Sequence, residues 1–268
     1  MRQPKRVRLK ESQLGTAAMQ SLFADTLNWM DDRLYWLEKL IPQPTKIRIE
    51  GAVAYRYPEK TPQIALVLRL ARIVSGLRAS TYLWSAGLLQ EQAAICRMVN
   101  EFQDDVTFLT LAQLEEEQPP LLHRFLEAFF AEENSAKNFR SGVRVKGHDT
   151  PNRKNILNYI SQHPASGGDP FTGSNASLAL SFAISGYVHG SAEHIVEMFD
   201  PAKRRLVTNV WPENPFCPAH ERDLRNYFYR GVLAFGFAGV ALNDDSTKSS
   251  VLDFRKLYED SEGNPVGL

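Results

Sequence analysis

The chain has 268 residues, with 31 Lys plus Arg balancing 31 Asp plus Glu for a formal net charge of zero. Hydrophobic residues make up 43% and charged residues 23%, which excludes a disordered chain and a binder that attracts polyanions through bulk charge. The two cysteines, Cys96 and Cys217, have no partner at metal-ligand spacing, which excludes a disulfide framework or a zinc ribbon and fits a cytoplasmic compartment.

Residues 1–16 form a basic leader with Arg2, Lys5, Arg6, Arg8 and Lys10, and no apolar run of signal-peptide length follows it. Residues 17–268 read as a single helical domain. Met19, Leu22, Phe23, Leu27, Met30, Leu34, Leu37 and Ile41 recur every three or four positions, the spacing of one helix face. Pro42 and Pro44 end that helix, because each lacks an N–H and restricts the residue before it. The connector that follows includes Ile47 and Ile49 in partial alternation, which predicts a short β-arm near residues 46–57.

Pro62 suits a first helical turn, and Ile64, Leu66, Val67, Leu70, Ala71, Val74 and Leu77 carry an apolar stripe to about Arg78. After Gly87 a second long helix runs from Leu88 to Leu114, and the short joint predicts antiparallel packing of the two. A shorter helix follows over 121–133. Residues 134–175 turn to Gly, Ser, Asn, Pro and basic side chains, a texture suited to a site rim or hinge, with one brief helix at 151–160. The helical pattern returns from Ala176, breaks at Gly190 and resumes to Pro201, and a long helix spans 218–242 before a closing one at 251–258. The most apolar stretch, Gly231 to Leu242, is too short for the roughly 20 residues of a membrane span. Without βαβ alternation or a Gly-rich strand-to-helix turn, the fold class is all-α: a multi-helix bundle built on long antiparallel helical hairpins. Trp29, Trp36, Trp84 and Trp211 read as core or interface aromatics.

Three clusters are candidates for chemistry. On the second long helix, Arg97 and Glu101 stand one turn apart and form an i,i+4 ion pair; beside a cleft, such a pair has its protonation tuned by burial. The segment SGYVHGSAEHI brings Ser185, Tyr187, His189, Ser191 and His194 around Gly190, more hydrogen-bonding groups than packing requires. His189 and His194 fall about 140° apart on a continuous helix, and with Glu193 they match neither common zinc-helix pattern, so no metal and no cofactor is assigned. The loop from Lys137 to Lys154 carries Arg140, Arg144 and Lys146 among its basic residues, which suits phosphate contact.

The hairpin from Pro62 to Leu114, with Arg97, Glu101 and Asp105 down its second helix and YVHGSAEHI later, resembles helical bacterial proteins that are loosely similar to the HEPN group. That resemblance implies RNA-cleaving toxins and defence components, commonly homodimers. The group's ribonuclease signature places a His at a short fixed distance after an Arg. At that spacing Arg97 is followed by Phe102, Gln103 and Asp104, and Arg225 by Arg230, Gly231 and Val232. A catalytic pair would therefore have to form through the fold, with His189 or His194 reaching Arg97.

The sequence thus predicts a cytoplasmic binding or regulatory module in a bacterial stress or phage-defence setting, its partner a nucleic acid or a protein, with no membrane role. The alternatives are a metal-independent ribonuclease using Arg97 with His189 or His194, and a structural or interaction protein whose polar clusters are buried hydrogen-bond networks.

Overall fold

In a computed structural model the chain is described over residues 17–49, 52–131, 151–166, 185–210 and 213–260, together with 262 and 265. The element order is α1 (Ala17–Glu38), β1 (Thr45–Ile49), β2 (Ala52–Arg56), α2 (Pro62–Ser85), α3 (Leu89–Leu114), α4 (Pro120–Phe129), α5 (Arg153–Gln162), α6 (Ala192–Ile195), β3 (Phe199–Asp200), β4 (Arg205–Leu206), α7 (Cys217–Ala241) and α8 (Asp245–Lys256). A helical turn over 185–189 precedes α6. The architecture is an all-α bundle with two small antiparallel ribbons, β1–β2 and β3–β4. No helix among the described residues is long and apolar enough to cross a membrane.

The apolar stripes explain the core. Phe23, Met30 and Leu37 of α1, Leu66, Leu70 and Ile73 of α2, Val99, Val106 and Phe108 of α3, and Phe228, Val232 and Phe235 of α7 are all fully buried in one cluster. Removing such faces from water is the main favourable term in folding. Phe23 of α1 stacks on Phe228 of α7 at 4.3 Å, and Trp29 stacks on Phe254 of α8 at 4.6 Å.

The two long helices α2 and α3 do pack antiparallel: Arg69 meets Asp105, Gly76 meets Val99 and Ser80 meets Cys96, so the pairing runs in opposite chain directions. Gly76 is needed at their crossing, since a Cβ there would lie 2.5 Å from Val99 Cγ2. Thr61 caps α2 by accepting from the Ile64 N–H at 3.3 Å, with Pro62 at the first turn. Gly87 turns the chain between α2 and α3 at φ 75, a left-handed backbone that glycine adopts without strain. Its carbonyl accepts from the Val210 N–H at 2.8 Å, tying the segment after β4 to the joint.

Several elements depart from the sequence reading. Helix α2 continues past Arg78 to Ser85. Its last two turns bury Ser80 and Trp84, while the half-buried Thr81 donates its hydroxyl to the Leu77 carbonyl at 2.9 Å. The pattern resuming after Gly190 is one short α-turn and one 3-10 turn, Val196–Met198, leading into β3 rather than a helix to Pro201. The last helix starts at Asp245, where the Asp244 side chain accepts from the Thr247 N–H at 2.9 Å. Trp29 and Trp84 lie in the core, but Trp36 is 53% exposed, with the Lys39 ammonium 4.1 Å from its ring. Trp211 and the basic leader lie outside the described residues.

Candidate functional site: a cleft along α3

Helix α3 carries polar side chains at two levels, and the fold treats them differently. At the inner level Asp104 and Asp105 are buried. An unpaired carboxylate there would cost several kcal/mol, and three arginines from three other helices prevent that. Arg153 of α5 donates to Asp105 at 2.7 Å, to Asp104, and to the Glu101 carbonyl at 3.0 Å. Arg230 of α7 donates to Asp104 at 2.8 Å and to the Asn100 amide oxygen. Arg69 of α2 pairs with the second Asp105 oxygen at 2.9 Å. Burial pushes the Asp105 carboxyl above the usual carboxylate range, while Arg69 and Arg153 pull it back. Four helices are clamped in register through one turn of α3.

At the outer level Arg97 and Glu101 form the expected ion pair at 2.7 Å, the arginine 15% and the glutamate 42% exposed. They line a surface cleft of about 420 Å³ whose opposite wall is Ser185, Tyr187, Val188 and His189. The fold therefore brings together five residues singled out in the sequence, Arg97, Glu101, Ser185, Tyr187 and His189, across some 90 positions of chain. Met98 forms the floor, and the exposed Arg72 of α2 reaches it, with its guanidinium 3.4 Å from the Met98 sulfur. Among the described residues no carboxylate pairs with Arg72, which also donates to the Ser75 hydroxyl at 3.3 Å.

The cleft wall is braced from behind. The Tyr187 hydroxyl donates to Glu197 at 2.9 Å, and Gln90 of α3 donates to the other Glu197 oxygen at 3.0 Å and to the His194 carbonyl at 2.8 Å. His220 of α7 is buried between Glu197, 3.2 Å from its Nε2, and Gln92, 3.1 Å from its Nδ1. Burial would raise the Glu197 carboxyl, but hydrogen bonds from His220 and Tyr187 outweigh it and hold it below the ordinary glutamate range. Tyr187 is pushed far above the usual phenol value by burial and by its bond to Glu197, so it stays a neutral donor at physiological pH. Burial raises the Cys96 thiol behind this wall to about 12, which makes it an inert core thiol rather than a nucleophile.

The remaining candidates separate. His194 does not line the cleft; its Nδ1 lies 2.6 Å from the Ser191 hydroxyl and its ring packs edge-on against Tyr187 at 4.1 Å. Gly186 permits that contact, because a Cβ there would sit 2.3 Å from the His194 ring. His194 and Ser191 thus shape the wall, whereas Ser185 and Tyr187 face the cleft. Arg140, Arg144 and Lys146 lie outside the described residues. Among the described residues no three His, Cys, Asp or Glu side chains are placed to hold a metal ion.

The sequence reading missed the three arginine partners of Asp104 and Asp105, and it missed Glu197 and His220. The adjacent Asp104 and Asp105 in an apolar helix were the one sign that buried carboxylates would need cations; which arginines supply them, and the Glu197–His220 pair, carry no sign along the chain. As a class, the molecule is an all-α bundle with a cation-bearing surface cleft. Comparison of the chain with protein-family models, curated proteins and solved structures finds no match in any of the three.

Proposed function

We propose that the cleft along α3 binds the phosphodiester backbone of a single-stranded nucleic acid, RNA by the resemblance stated above, and that the protein acts as a binding module of the stress or phage-defence kind. The observation that carries this reading is the convergence of Arg97 with Tyr187 and His189 in one cleft of about 420 Å³, with Arg72 at its edge. A guanidinium presents a planar fork that matches phosphate oxygens. Its partner Glu101 is 42% exposed while Arg97 is 15% exposed, so the pair is open to solvent on its carboxylate side, where a phosphate entering the cleft can compete for the guanidinium. A cleft of this volume accepts one nucleotide-sized group and not a duplex.

A second reading, metal-independent RNA cleavage, is favoured by the position of His189 on the wall facing Arg97. In it His189 takes the proton of a ribose 2′-hydroxyl and the 2′ oxygen attacks phosphorus. The P–O5′ bond breaks, the leaving oxygen takes a proton from water, and Arg97 stabilises the added negative charge.

Incubation with end-labelled single-stranded RNA and DNA in EDTA, scored for retention and for cutting, separates the two. The binding reading predicts salt-sensitive retention that Arg97→Ala removes, with no cutting. Cutting that His189→Ala abolishes establishes the second reading, and loss of neither signal in Arg97→Ala contradicts both.

A further inference from the structure

A second cavity, of about 490 Å³, adjoins the cleft, and Glu101 lines both. Its walls are Phe102, Phe125 and Phe129, with Arg69 and Arg153 at its base. The Arg69 guanidinium is held 4.7 Å from the ring centroids of both Phe102 and Phe129, an arrangement in which a planar cation and two phenyl faces form one stacking surface. From Ala94 to Asp105 the two cavities follow a stretch of α3 about 16 Å long. Arg72 lies where they meet, touching Met98 of the cleft and facing Phe102 of the cavity at 5.7 Å.

We propose that this aromatic cavity is a base pocket for a nucleotide whose phosphate rests on Arg97, and that it prefers bases bearing an exocyclic amine. The inference rests on the nucleic-acid reading of the cleft. Flat phenyl and guanidinium faces around an open volume suit a planar heterocycle, which stacks without regard to its hydrogen-bonding edge. The edge is read by Glu101. Both Asp105 oxygens are already taken, one by Arg153 and one by Arg69, so Asp105 has no role in recognition. Glu101, half-exposed on the shared wall, is occupied by Arg97 while the cleft is empty. When Arg97 turns to a phosphate, the Glu101 carboxylate is released on the side of the base cavity, and a carboxylate accepts but does not donate hydrogen bonds. Adenine, cytosine and guanine carry an exocyclic amine for it, whereas the one edge donor of uracil, its N3–H, is flanked by two carbonyl oxygens that a carboxylate repels. Phosphate binding and base selection are thereby coupled through one glutamate.

The test uses the full chain with three labelled RNA oligomers of equal length, oligo(A), oligo(U) and an abasic strand, followed by fluorescence anisotropy. Base stacking predicts that oligo(A) binds about tenfold or more tightly than the abasic strand, and that Phe129→Leu, which keeps an apolar side chain and the fold, lowers the oligo(A) affinity to the abasic value. Glu101→Gln should bind the abasic strand somewhat more tightly while losing the preference for oligo(A) over oligo(U). Equal binding of oligo(A) and the abasic strand by the wild type overturns the base pocket and leaves the cleft reading standing. Binding of none of the three overturns the cleft reading and the pocket with it. Retention of the oligo(A) preference in Glu101→Gln overturns the role given to Glu101.

Discussion

Within one face and about two turns of α3, two sets of arginine–carboxylate pairs serve opposite ends. Asp104 and Asp105 lie inside the protein and are held by arginines from α2, α5 and α7. Arg97, 15% exposed, and Glu101, 42% exposed, line the surface cleft and, among the described residues, form their ion pair with each other within the same helix. The first set cannot be opened without stranding charge in the core, so it fixes the register of four helices. The second is open to solvent on its carboxylate side, so its cation can exchange Glu101 for a ligand. Pairing alone does not tell a structural charge from a functional one; burial and the origin of the partner do.

The largest effect expected from this contrast is on stability. Asp104→Ala leaves Arg153 and Arg230 without their shared carboxylate and should cost about 3–5 kcal/mol in a urea melt; a loss below about 1 kcal/mol would mean the network is solvated. Next comes Arg97→Ala, which removes a charge-assisted contact of about 1.5–3 kcal/mol from the bound state, a tenfold to hundredfold loss of affinity for single-stranded RNA, with the unfolding midpoint nearly unchanged.

Behind the cleft, Tyr187→Phe removes the donor to Glu197 and should cost about 1 kcal/mol at neutral pH. Because the folded Glu197 carboxyl lies below its ordinary value, the stability it contributes is complete above that value and is lost as pH falls through the folded one. The gap between wild type and Tyr187→Phe should therefore be full above about pH 5 and narrow on acidification; melting curves across that window would show it, and a gap that widens toward acid contradicts the brace. The smallest effect is that of Glu101→Gln, a few tenths of a kcal/mol in stability at most, accompanied by tighter binding of an abasic strand.

The long helices were legible because their apolar side chains repeat with the helical period, and Phe23, Met30, Leu70, Val99 and Phe228 of those stripes are the core. Arg97 with Glu101 was legible because i,i+4 pairing is local, and Tyr187 with His189 because polar residues crowd around Gly190. The clamp was not, since the arginine partners of Asp104 and Asp105 include Arg153, 48 or 49 positions away, and Arg230, 126 away. No pattern along the chain announces such contacts; they exist once the helices pack. His220 was hidden for the same reason, its carboxylate partner Glu197 lying in a 3-10 turn with no periodic signature. The end of α2 was masked by Ser80 and Thr81, polar residues that interrupt the apolar stripe: Ser80 is buried against Cys96, and the half-buried Thr81 satisfies its hydroxyl on the Leu77 carbonyl.

One paired measurement bears most directly on the division between clamp and cleft: the affinity for a labelled single-stranded RNA and the thermal midpoint, taken on the same preparations of wild type and Arg97→Ala. The account predicts at least a tenfold weaker Kd for the variant, with a Tm within about 2 °C of wild type. An unchanged Kd, or a Tm that falls as it should for Asp104→Ala, would contradict it and place Arg97 with the structural arginines.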